Sequence, residues 1–439
     1  MENSNTDCGQ PICCRSECGE GKEGNRAHIL GDWNCDLSPA LFSSMVDAID
    51  SLPVRPDFIL NTGDDPAHDV WNQNHESNLK AIEYVSKEFL SGIGRRIPVV
   101  NTLGNHEHAP VNQYKGPGED AWLYENASAF WSTWLSDDAK RTMSYGGYYA
   151  TRVAPGLRAV VMHSTMFNSG VGANWAFTTN QTDIGAQFPW LVNVLDQARE
   201  REEKVLLLRH CPIEDFDMGY DELMRNITVE YNDVIVSSFA GHAHTTFYRT
   251  LHNDKGEAVS NVWVSGSGTP GGGNPTFRVF RYDLKTFELL DYDQYWVDLN
   301  LAIKTGNATW RKDHSALEYY SLPDMSASSW DALARSWLNG DDNMTTWRHY
   351  ARAFTRDHRP IESVNRVHEA CSALTVTSSQ YKDCKDGVQL MSSSLSSTNR
   401  RICTTNAIGY RVCSEEGRDD QSSGLWMLNM FIDLAKKIF

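Results

Sequence analysis

The chain has 439 residues, of which 41% are hydrophobic and 22% charged, and this composition excludes an intrinsically disordered or collagen-like protein. The chain has 40 Lys and Arg residues and 57 Asp and Glu residues, so its formal charge is -17. Because this charge repels a polyanion, we expect no nucleic-acid partner. No apolar run approaches the roughly 18 to 20 residues that cross a bilayer, so we expect no transmembrane segment. The length favours one large core with an appendage.

The cysteines cluster near the two ends of the chain. Five of the ten lie within the first 35 residues, four lie after residue 370, and only Cys211 stands apart. The two groups are Cys8, Cys13, Cys14, Cys18 and Cys35, and Cys371, Cys384, Cys403 and Cys413. Because there is no C-x-x-C pair and no nearby pair of histidines, two disulfide frameworks are a better interpretation than a zinc knuckle.

Five N-x-S/T sequons accompany these cysteines, at Asn126, Asn180, Asn226, Asn307 and Asn343. Disulfides and glycosylation together indicate a secreted or extracellular glycoprotein, or a lysosomal or vacuolar one. The residues from Met1 to Cys8 contain neither a charged nor an apolar segment, so we expect no signal peptide within this sequence. We therefore expect further residues upstream of Met1.

Four short apolar runs each end abruptly at a polar loop. The runs are 58–62 before Gly63, 97–103 before Gly104, 205–208 before Arg209, and 234–240 before Gly241. Their length, their bounding residues and, in several, their β-branched content predict buried strands.

Helical patterns lie between these strands, at 76–89, 127–135 and 188–203. Strands that alternate with helices predict a layered α/β sheet, in which sites gather at the carboxyl ends of strands. Strand and turn patterns at 148–153 and 245–297 predict an antiparallel extension of the sheet. After about residue 325, Trp- and Ala-rich helices and a Ser-rich stretch at 391–398 lie among the late cysteines, and 425–439 has the pattern of an amphipathic helix.

Metal-compatible side chains lie at the ends of the four predicted strands: Asp64, Asn105, His210, His242 and His244. A single His on an apolar strand is usually a satisfied core residue, but five such side chains on successive strand ends predict a metal centre. Imidazole nitrogens with carboxylate and amide oxygens suit zinc, iron or manganese. The spacing of His242 and His244 places both rings on the same side of an extended segment.

In this order, the segments G-D-D-P-A-H-D at 63–69, G-N-H-E at 104–107, His210 and G-H-A-H at 241–244 resemble the calcineurin-like metallophosphoesterases. The G-D-x-P-A-H-D form, the Cys13-Cys14 pair and N-P-x-F-R-V at 274–279 are similar to the acid sphingomyelinase branch. The resemblance extends from about Cys8 to about residue 300, and more loosely to the end of the chain.

This resemblance implies an α/β fold of the α+β layered kind, a calcineurin-like metallophosphoesterase β-sandwich flanked by helices, with a C-terminal disulfide-pinned helical subdomain. We expect residues 1–36 to be a Cys-rich N-terminal segment of the catalytic domain, with the first strand missing. The catalytic domain would then span 37–300 and the helical subdomain 301–439.

The resemblance also implies a two-metal site, usually of zinc, with the ions about 3.5 to 4 Å apart. Asp64 would bridge the metals, Asn105, His210 and His242 would complete one shell, and His244 would belong to the other. His106, aided by His68, would protonate the leaving alkoxide. The alternative for His106 is that it only orients Asn105.

One family motif is missing, because the remaining ligands come from an Asp-x-His ahead of the early cysteines. None of the 14 histidines here has Asp two residues before it. We therefore expect one well-formed metal site, one incomplete site and an uncovered sheet edge.

Three functions follow from the resemblance and from this departure. The first is a zinc-dependent phosphodiesterase that splits sphingomyelin into ceramide and phosphocholine, or a related phosphodiester, by metal-hydroxide attack, with peripheral contact to a membrane surface. The second is a nucleotide or CDP-choline phosphodiesterase of the sphingomyelinase-like type, favoured because no saposin-like segment is present in this chain. The third is a catalytically dead or truncated secreted glycoprotein, which the absent Asp-x-His favours.

Overall fold

The computed structural model describes residues 2–168, 174, 183–216, 219–338 and 344–394, and the strand pair at 402–405 and 411–414. Residues 1–382 form one compact unit and residues 383–439 form a second. The predicted helix at 425–439 and the sequons at Asn180 and Asn343 lie outside the described residues. Within the described residues, no helix combines the length and the hydropathy that a membrane span needs.

A six-stranded mixed sheet forms the central layer of the first unit. In spatial order its strands are β3 (Tyr149–Ala154), β4 (Leu157–Val161), β5 (Lys204–Leu208), β6 (Ile235–Ala240), β8 (Ala258–Val264) and β7 (Phe247–His252). The four inner strands run parallel, while β3 and β7 are antiparallel edges. The predicted strands at 205–208 and 234–240 are therefore confirmed. The antiparallel extension is confirmed at 149–154 and 247–264, but it is wrong for the strands at 276–282 and 289–296, which belong to a separate sheet.

Two smaller sheets lie against the central sheet. The first pairs β1 (Ile59–Asn61) with β2 (Val99–Asn101) in parallel, and the second contains β9 (Thr276–Tyr282), β10 (Leu289–Trp296) and β11 (Arg311–Ser315). Phe239 of β6 packs against Phe280 of β9 with ring centroids 5.1 Å apart, which gives the sandwich an aromatic core. Among the described residues β1 is paired only along its β2 side, and its side chains are half-buried.

Helices flank this sandwich. In chain order they are α1 (Pro39–Asp50), α2 (His75–Phe89), α3 (Ala121–Phe130), α4 (Asp137–Gly146), α5 (Gln187–Glu200), α6 (Tyr220–Glu230), α7 (Leu299–Thr305), α8 (Ala316–Tyr320), α9 (Ala327–Leu338), α10 (Met344–Phe354), α11 (Arg366–Ala373) and α12 (Ser378–Ser394). The predicted helices at 76–89 and 188–203 correspond to α2 and α5. The helix predicted at 127–135 begins and ends earlier, as α3, because the chain turns at Trp131 and the Trp134 indole donates to the Gly94 carbonyl oxygen.

The Trp-rich helices after residue 325 pack on the central sheet. The Trp330 ring lies 4.6 Å from that of Tyr248 on β7 and 4.9 Å from that of Trp263 on β8. Burial of these large aromatic surfaces extends the core from the sheet into α9. The division of the chain at residues 36 and 300 stays a prediction.

The early cysteines form disulfides, as the sequence favoured. Cys8 is bonded to Cys18 and Cys14 to Cys35, while Cys13 is a buried free thiol. Near the other end, Cys371 and Cys384 are both disulfide-bonded. In the second unit, Cys403 on β12 (Ile402–Thr405) lies opposite Cys413 on β13 (Arg411–Ser414).

Candidate active site

Four of the five predicted ligands converge at the carboxyl ends of β1, β2, β5 and β6. His210 Nε2 lies 3.0 Å from Asp64 Oδ2, 3.1 Å from Asn105 Oδ1 and 3.1 Å from His242 Nδ1. His242 Nδ1 is also 3.0 Å from Asn105 Oδ1. The juxtaposition expected from strand ends is therefore present, with one side chain contributed by each of four loops.

The backbone is forced into an uncommon conformation to deliver these side chains. Asp64, His242 and His244 all have positive φ, at 63°, 69° and 56°. Residues other than glycine rarely adopt this region, and such outliers cluster at functional sites. Gly104 makes the arrangement possible, because a Cβ there would lie 2.2 Å from Asp64 Oδ1.

The hydrogen bond made by His210 Nδ1 shows which ring nitrogen carries the proton, and therefore whether these four ligand atoms suit a cation. His210 Nδ1 lies 2.6 Å from the Thr62 carbonyl oxygen, which can only accept, so Nδ1 carries the proton. The Nε2 lone pair of neutral His210 therefore points at Asp64 Oδ2 and Asn105 Oδ1, which are themselves acceptors. A proton or a metal ion between these atoms removes the repulsion between their lone pairs. Metal-binding histidines commonly donate the N–H of the other ring nitrogen to a backbone carbonyl oxygen.

The electrostatics of the site agree with this geometry. Burial opposes ionisation of Asp64, but the adjacent imidazoles, His210 first, outweigh it and hold the pKa of Asp64 well below its usual range. Burial likewise disfavours charge on His210, yet the Asp64 carboxylate raises the pKa of this imidazole to about 9. The site thus stabilises positive charge where the four ligand atoms meet, and the chemistry of Asp64, Asn105, His210 and His242 suits a divalent metal ion.

Glu107 connects two of the ligand-bearing loops, a role that no spacing in the sequence indicates. Its Oε1 accepts the Asp65 N–H at 2.8 Å and its Oε2 accepts the Gly104 N–H at 2.7 Å. The side chain is fully buried. One carboxylate therefore fixes the loop of Asp64 relative to the loop of Asn105.

His244 lies apart from the four converging atoms. Its ring is 5.0 Å from that of His68, and burial, together with the charge of His68, lowers the pKa of His244 to about 4. Among the described residues, two groups of three His, Cys, Asp or Glu ligand atoms lie within 4.8 Å of one another, and neither His244 nor Asp64 belongs to them. The donor set joined by direct contacts is Asp64, Asn105, His210 and His242, and the set around His244 is less complete.

Cys211 belongs to one of these groups, together with His210 and His242. The thiol is fully buried and free, and it accepts a hydrogen bond from Asn168 Nδ2 at 3.4 Å. Burial raises the pKa of Cys211, so the thiol stays protonated and packs as a small apolar residue.

The structure brings His68 and His106 together beside the ligands. Their rings are 4.3 Å apart, and the backbone N–H of His106 donates to Asp64 Oδ1 at 2.9 Å. His106 Nδ1 is buried, and no described residue forms a hydrogen bond with it. Burial lowers the pKa of His106, so the neutral imidazole is favoured at rest.

His68 is held by Asp36, which sequence reasoning did not find. Asp36 Oδ1 lies 2.6 Å from His68 Nδ1, and Asp36 Oδ2 accepts the His68 N–H at 2.9 Å. Burial opposes charge on His68, but the hydrogen bond from its ring to Asp36 outweighs it and raises the pKa of the imidazole. Because these residues are 32 positions apart in irregular segments, no periodicity or motif could have paired them.

Two family models match consecutive regions of the chain. Residues 26–246 match the family described as Calcineurin-like phosphoesterase, and residues 263–390 match the Acid sphingomyelin phosphodiesterase C-terminal region. Sphingomyelin phosphodiesterase B of Dictyostelium discoideum is 30% identical over 400 residues, which cover 87% of this chain and 62% of that protein. Human Sphingomyelin phosphodiesterase is 28% identical over 88% of this chain and 63% of its own length.

A third relative, the human Cyclic GMP-AMP phosphodiesterase SMPDL3A, is 26% identical over 86% of both chains. The chain thus spans less than two thirds of the two sphingomyelin phosphodiesterases and most of the third protein. Two consecutive family regions cover the described fold from residue 26 to residue 390, and the first contains every predicted ligand. The chain therefore belongs to the acid sphingomyelinase family of calcineurin-like phosphoesterases.

Proposed function

We propose that this chain is a zinc-dependent phosphodiesterase that hydrolyses sphingomyelin to ceramide and phosphocholine. The observation that carries the proposal is the convergence of Asp64, Asn105, His210 and His242 beside the His68 and His106 pair. Family membership supports the reaction class, because the relatives named above are phosphodiesterases.

The residues fit one metal ion better than two. Asp64, Asn105, His210 and His242 would hold the first ion, and Asp64 with His244 would provide part of a second site. When bound, zinc would polarise the phosphodiester oxygens and supply a nucleophilic oxygen at neutral pH.

The histidine pair would handle the proton of the leaving group. An alkoxide leaves slowly unless it is protonated as the bond to phosphorus breaks, so a general acid at that oxygen accelerates the reaction. We assign this role to His106, which would receive the proton from His68, because the pKa of His68 is raised, that of His106 is lowered by burial, and the two rings are 4.3 Å apart. His68, hydrogen-bonded to Asp36, would orient the ring of His106 and return its proton.

Apolar side chains next to this pair support a lipid substrate. Val70 and Trp71 follow His68 by two and three residues and are 36% and 46% exposed. Tryptophan is favoured where one side of a ring is apolar and the other is wet, as at a membrane surface. We therefore include peripheral contact with a membrane in the proposal.

A nucleotide or CDP-choline phosphodiesterase is the second candidate. It is supported by the relative named Cyclic GMP-AMP phosphodiesterase SMPDL3A, which aligns over 86% of both chains. The same ligands and the same proton donor would serve either substrate, so the choice rests on recognition of the leaving group.

Passage through the secretory pathway completes the proposal, with a secreted or lysosomal destination. The disulfides and the exposed sequon residues Asn226 and Asn307 support it. Asn126 is half-buried, and its Nδ2 donates to the Trp122 carbonyl oxygen at 2.6 Å, so it is a poorer acceptor for a glycan. Removal of N-glycans from protein secreted by eukaryotic cells should therefore release glycan from Asn226 and Asn307.

The test compares hydrolysis of sphingomyelin in mixed micelles with hydrolysis of CDP-choline, using purified protein with zinc or with a chelator. Zinc-dependent release of phosphocholine from sphingomyelin, lost in Asn105→Ala, supports the first candidate. Zinc-dependent hydrolysis of CDP-choline alone supports the second. If neither substrate reacts, the chain is a non-catalytic glycoprotein.

A further inference from the structure

The Cys14–Cys35 disulfide lies directly beside the residues that hold His68. Both cysteines are buried, and their Cα atoms are 5.4 Å apart. Arg15 follows Cys14 and Asp36 follows Cys35, so the disulfide brings two oppositely charged side chains together. Arg15 Nη2 is 2.5 Å from Asp36 Oδ2.

The carboxylate of Asp36 is fully engaged in this arrangement. Its Oδ2 accepts from Arg15 and from the His68 N–H, and its Oδ1 accepts from His68 Nδ1. Arg15 also lies 3.4 Å from Asp69 Oδ1, next to His68 in the chain. The Cys-rich segment therefore holds the loop of His68 at two successive residues.

The other contacts between the segments of Arg15 and Asp36 are hydrogen bonds. The only helix between the two residues is the single 3-10 turn Ser16–Cys18, and the remainder of residues 15–36 is loop and turn with isolated bridges. The Cys13 N–H donates to the Asn34 carbonyl oxygen at 2.9 Å, the Cys14 N–H donates to the Asn5 carbonyl oxygen at 3.1 Å, and Asn34 Nδ2 donates to the Thr6 carbonyl oxygen at 3.0 Å. The covalent bond is thus the strongest restraint on the distance between the two charged side chains.

We propose that the Cys14–Cys35 disulfide and the Arg15–Asp36 ion pair act as one unit that positions His68 for proton transfer. Asp36 is then a positioning residue for hydrolysis, and the disulfide controls the rate through Asp36. The inference rests on the proposed function, because that function is what gives His68 a part in the reaction.

Opening the disulfide is predicted to slow hydrolysis. A dithiol reductant converts Cys14 and Cys35 to two thiols and is itself oxidised to a cyclic disulfide, with two electrons transferred. The Asp36 carboxylate is then free to move from His68 Nδ1, and the imidazole loses the acceptor that fixes its tautomer and orientation.

The test is a double-mutant cycle between Asp36→Asn and the pair Cys14→Ser/Cys35→Ser. Each change alone should lower kcat by about 10- to 100-fold, the usual cost of losing a carboxylate behind a functional histidine, while KM stays within twofold. Combining the two changes should cost little more than either alone, because both act through the same contact. The matched control, Cys8→Ser/Cys18→Ser, removes the neighbouring disulfide and should leave kcat within twofold.

A nitrogen-15 NMR spectrum of the histidines gives a readout that does not need activity. The His68 Nδ1–H signal should shift in Asp36→Asn and in Cys14→Ser/Cys35→Ser, and stay in place in Cys8→Ser/Cys18→Ser. If the cysteine pair variant does not fold, a cycle of Arg15→Gln with Asp36→Asn in the intact disulfide asks the same question.

The proposal would be overturned if the losses in kcat from Asp36→Asn and from Cys14→Ser/Cys35→Ser multiplied in the combined variant. An equal loss of kcat in Cys8→Ser/Cys18→Ser, or a His68 Nδ1–H signal that does not shift, would also overturn it. If the wild-type protein hydrolyses no phosphodiester, the proposed function fails instead. In that case the His68 signal alone decides whether the disulfide positions this ring.

Discussion

His108 Nε2 lies 3.1 Å from Asp120 Oδ1, and this buried pair closes the loop that follows the G-N-H-E segment. The other oxygen of Asp120 accepts the N–H groups of Lys115 and Gly116, each at 2.7 Å. Within the same loop, the Tyr114 hydroxyl donates to the Gly104 carbonyl oxygen at 2.7 Å. The pair therefore supports the backbone that carries Asn105.

Asp120→Asn should destabilise the protein more at neutral pH than in acid. Burial opposes ionisation of Asp120, but the hydrogen bonds from His108 and from the two amides outweigh it, so the pKa lies below its usual range. A carboxyl group with a lowered pKa in the folded state stabilises above its unfolded pKa of about 4, and the contribution disappears as the pH falls through the folded value.

We expect the free energy of unfolding to fall by about 1 to 3 kcal/mol at pH 7, and by less below the unfolded pKa. Urea denaturation at neutral and acidic pH measures both values. Asp254→Asn, at a fully exposed side chain, is the control. An equal loss at both pH values would show that the charge of Asp120 is not what stabilises the loop.

Glu107→Gln should weaken both the fold and metal binding. The native carboxylate accepts one N–H at each oxygen. Glutamine offers a single oxygen and would turn an NH2 group toward the other N–H. We expect a loss of about 1 to 3 kcal/mol in the free energy of unfolding and a 10- to 100-fold rise, roughly, in the zinc dissociation constant.

Isothermal titration with zinc and urea denaturation measure these two changes. Glu125→Gln, at an exposed position of α3, is the matched control and should alter neither. Wild-type zinc affinity in Glu107→Gln would mean that the loops of Asp64 and Asn105 hold their positions without this carboxylate.

His106→Ala should slow hydrolysis in a manner that depends on the leaving group. An alkoxide requires a proton, whereas nitrophenolate leaves readily without one. We expect kcat for sphingomyelin to fall by about 100- to 10,000-fold, with a much smaller loss for a nitrophenyl phosphodiester. Zinc content, measured on the same samples, should be unchanged. Loss of zinc from the variant would instead assign His106 to orienting Asn105.

The part of the site that lies at strand ends could be predicted from the sequence, because parallel strands followed by polar loops determine where Asp64, Asn105, His210 and His242 meet. The carboxylates that support the site, those of Asp36 and Glu107, could not be predicted in this way. Asp36 acts across 32 positions of irregular chain, and Glu107 acts on backbone N–H groups that leave no mark in the sequence.

The packing of the helices after residue 325 could not be predicted from the sequence either. The Trp and Ala content predicted helices, but the contacts of Trp330 with Tyr248 and Trp263 depend on where the strands run in space. Likewise, the helix predicted at 127–135 was placed too late, because a tertiary hydrogen bond from Trp134, rather than local propensity, shapes the segment that follows Trp131.

The most direct test of the account is zinc content measured together with turnover of a nitrophenyl phosphodiester, for wild type, His210→Ala and His244→Ala. We predict tightly bound zinc and turnover in the wild type, loss of both in His210→Ala, and retention of the first zinc in His244→Ala. A wild-type protein that binds no zinc and turns over no phosphodiester, or a His210→Ala variant that keeps both, would contradict the central claim that these four ligands form a catalytic metal site.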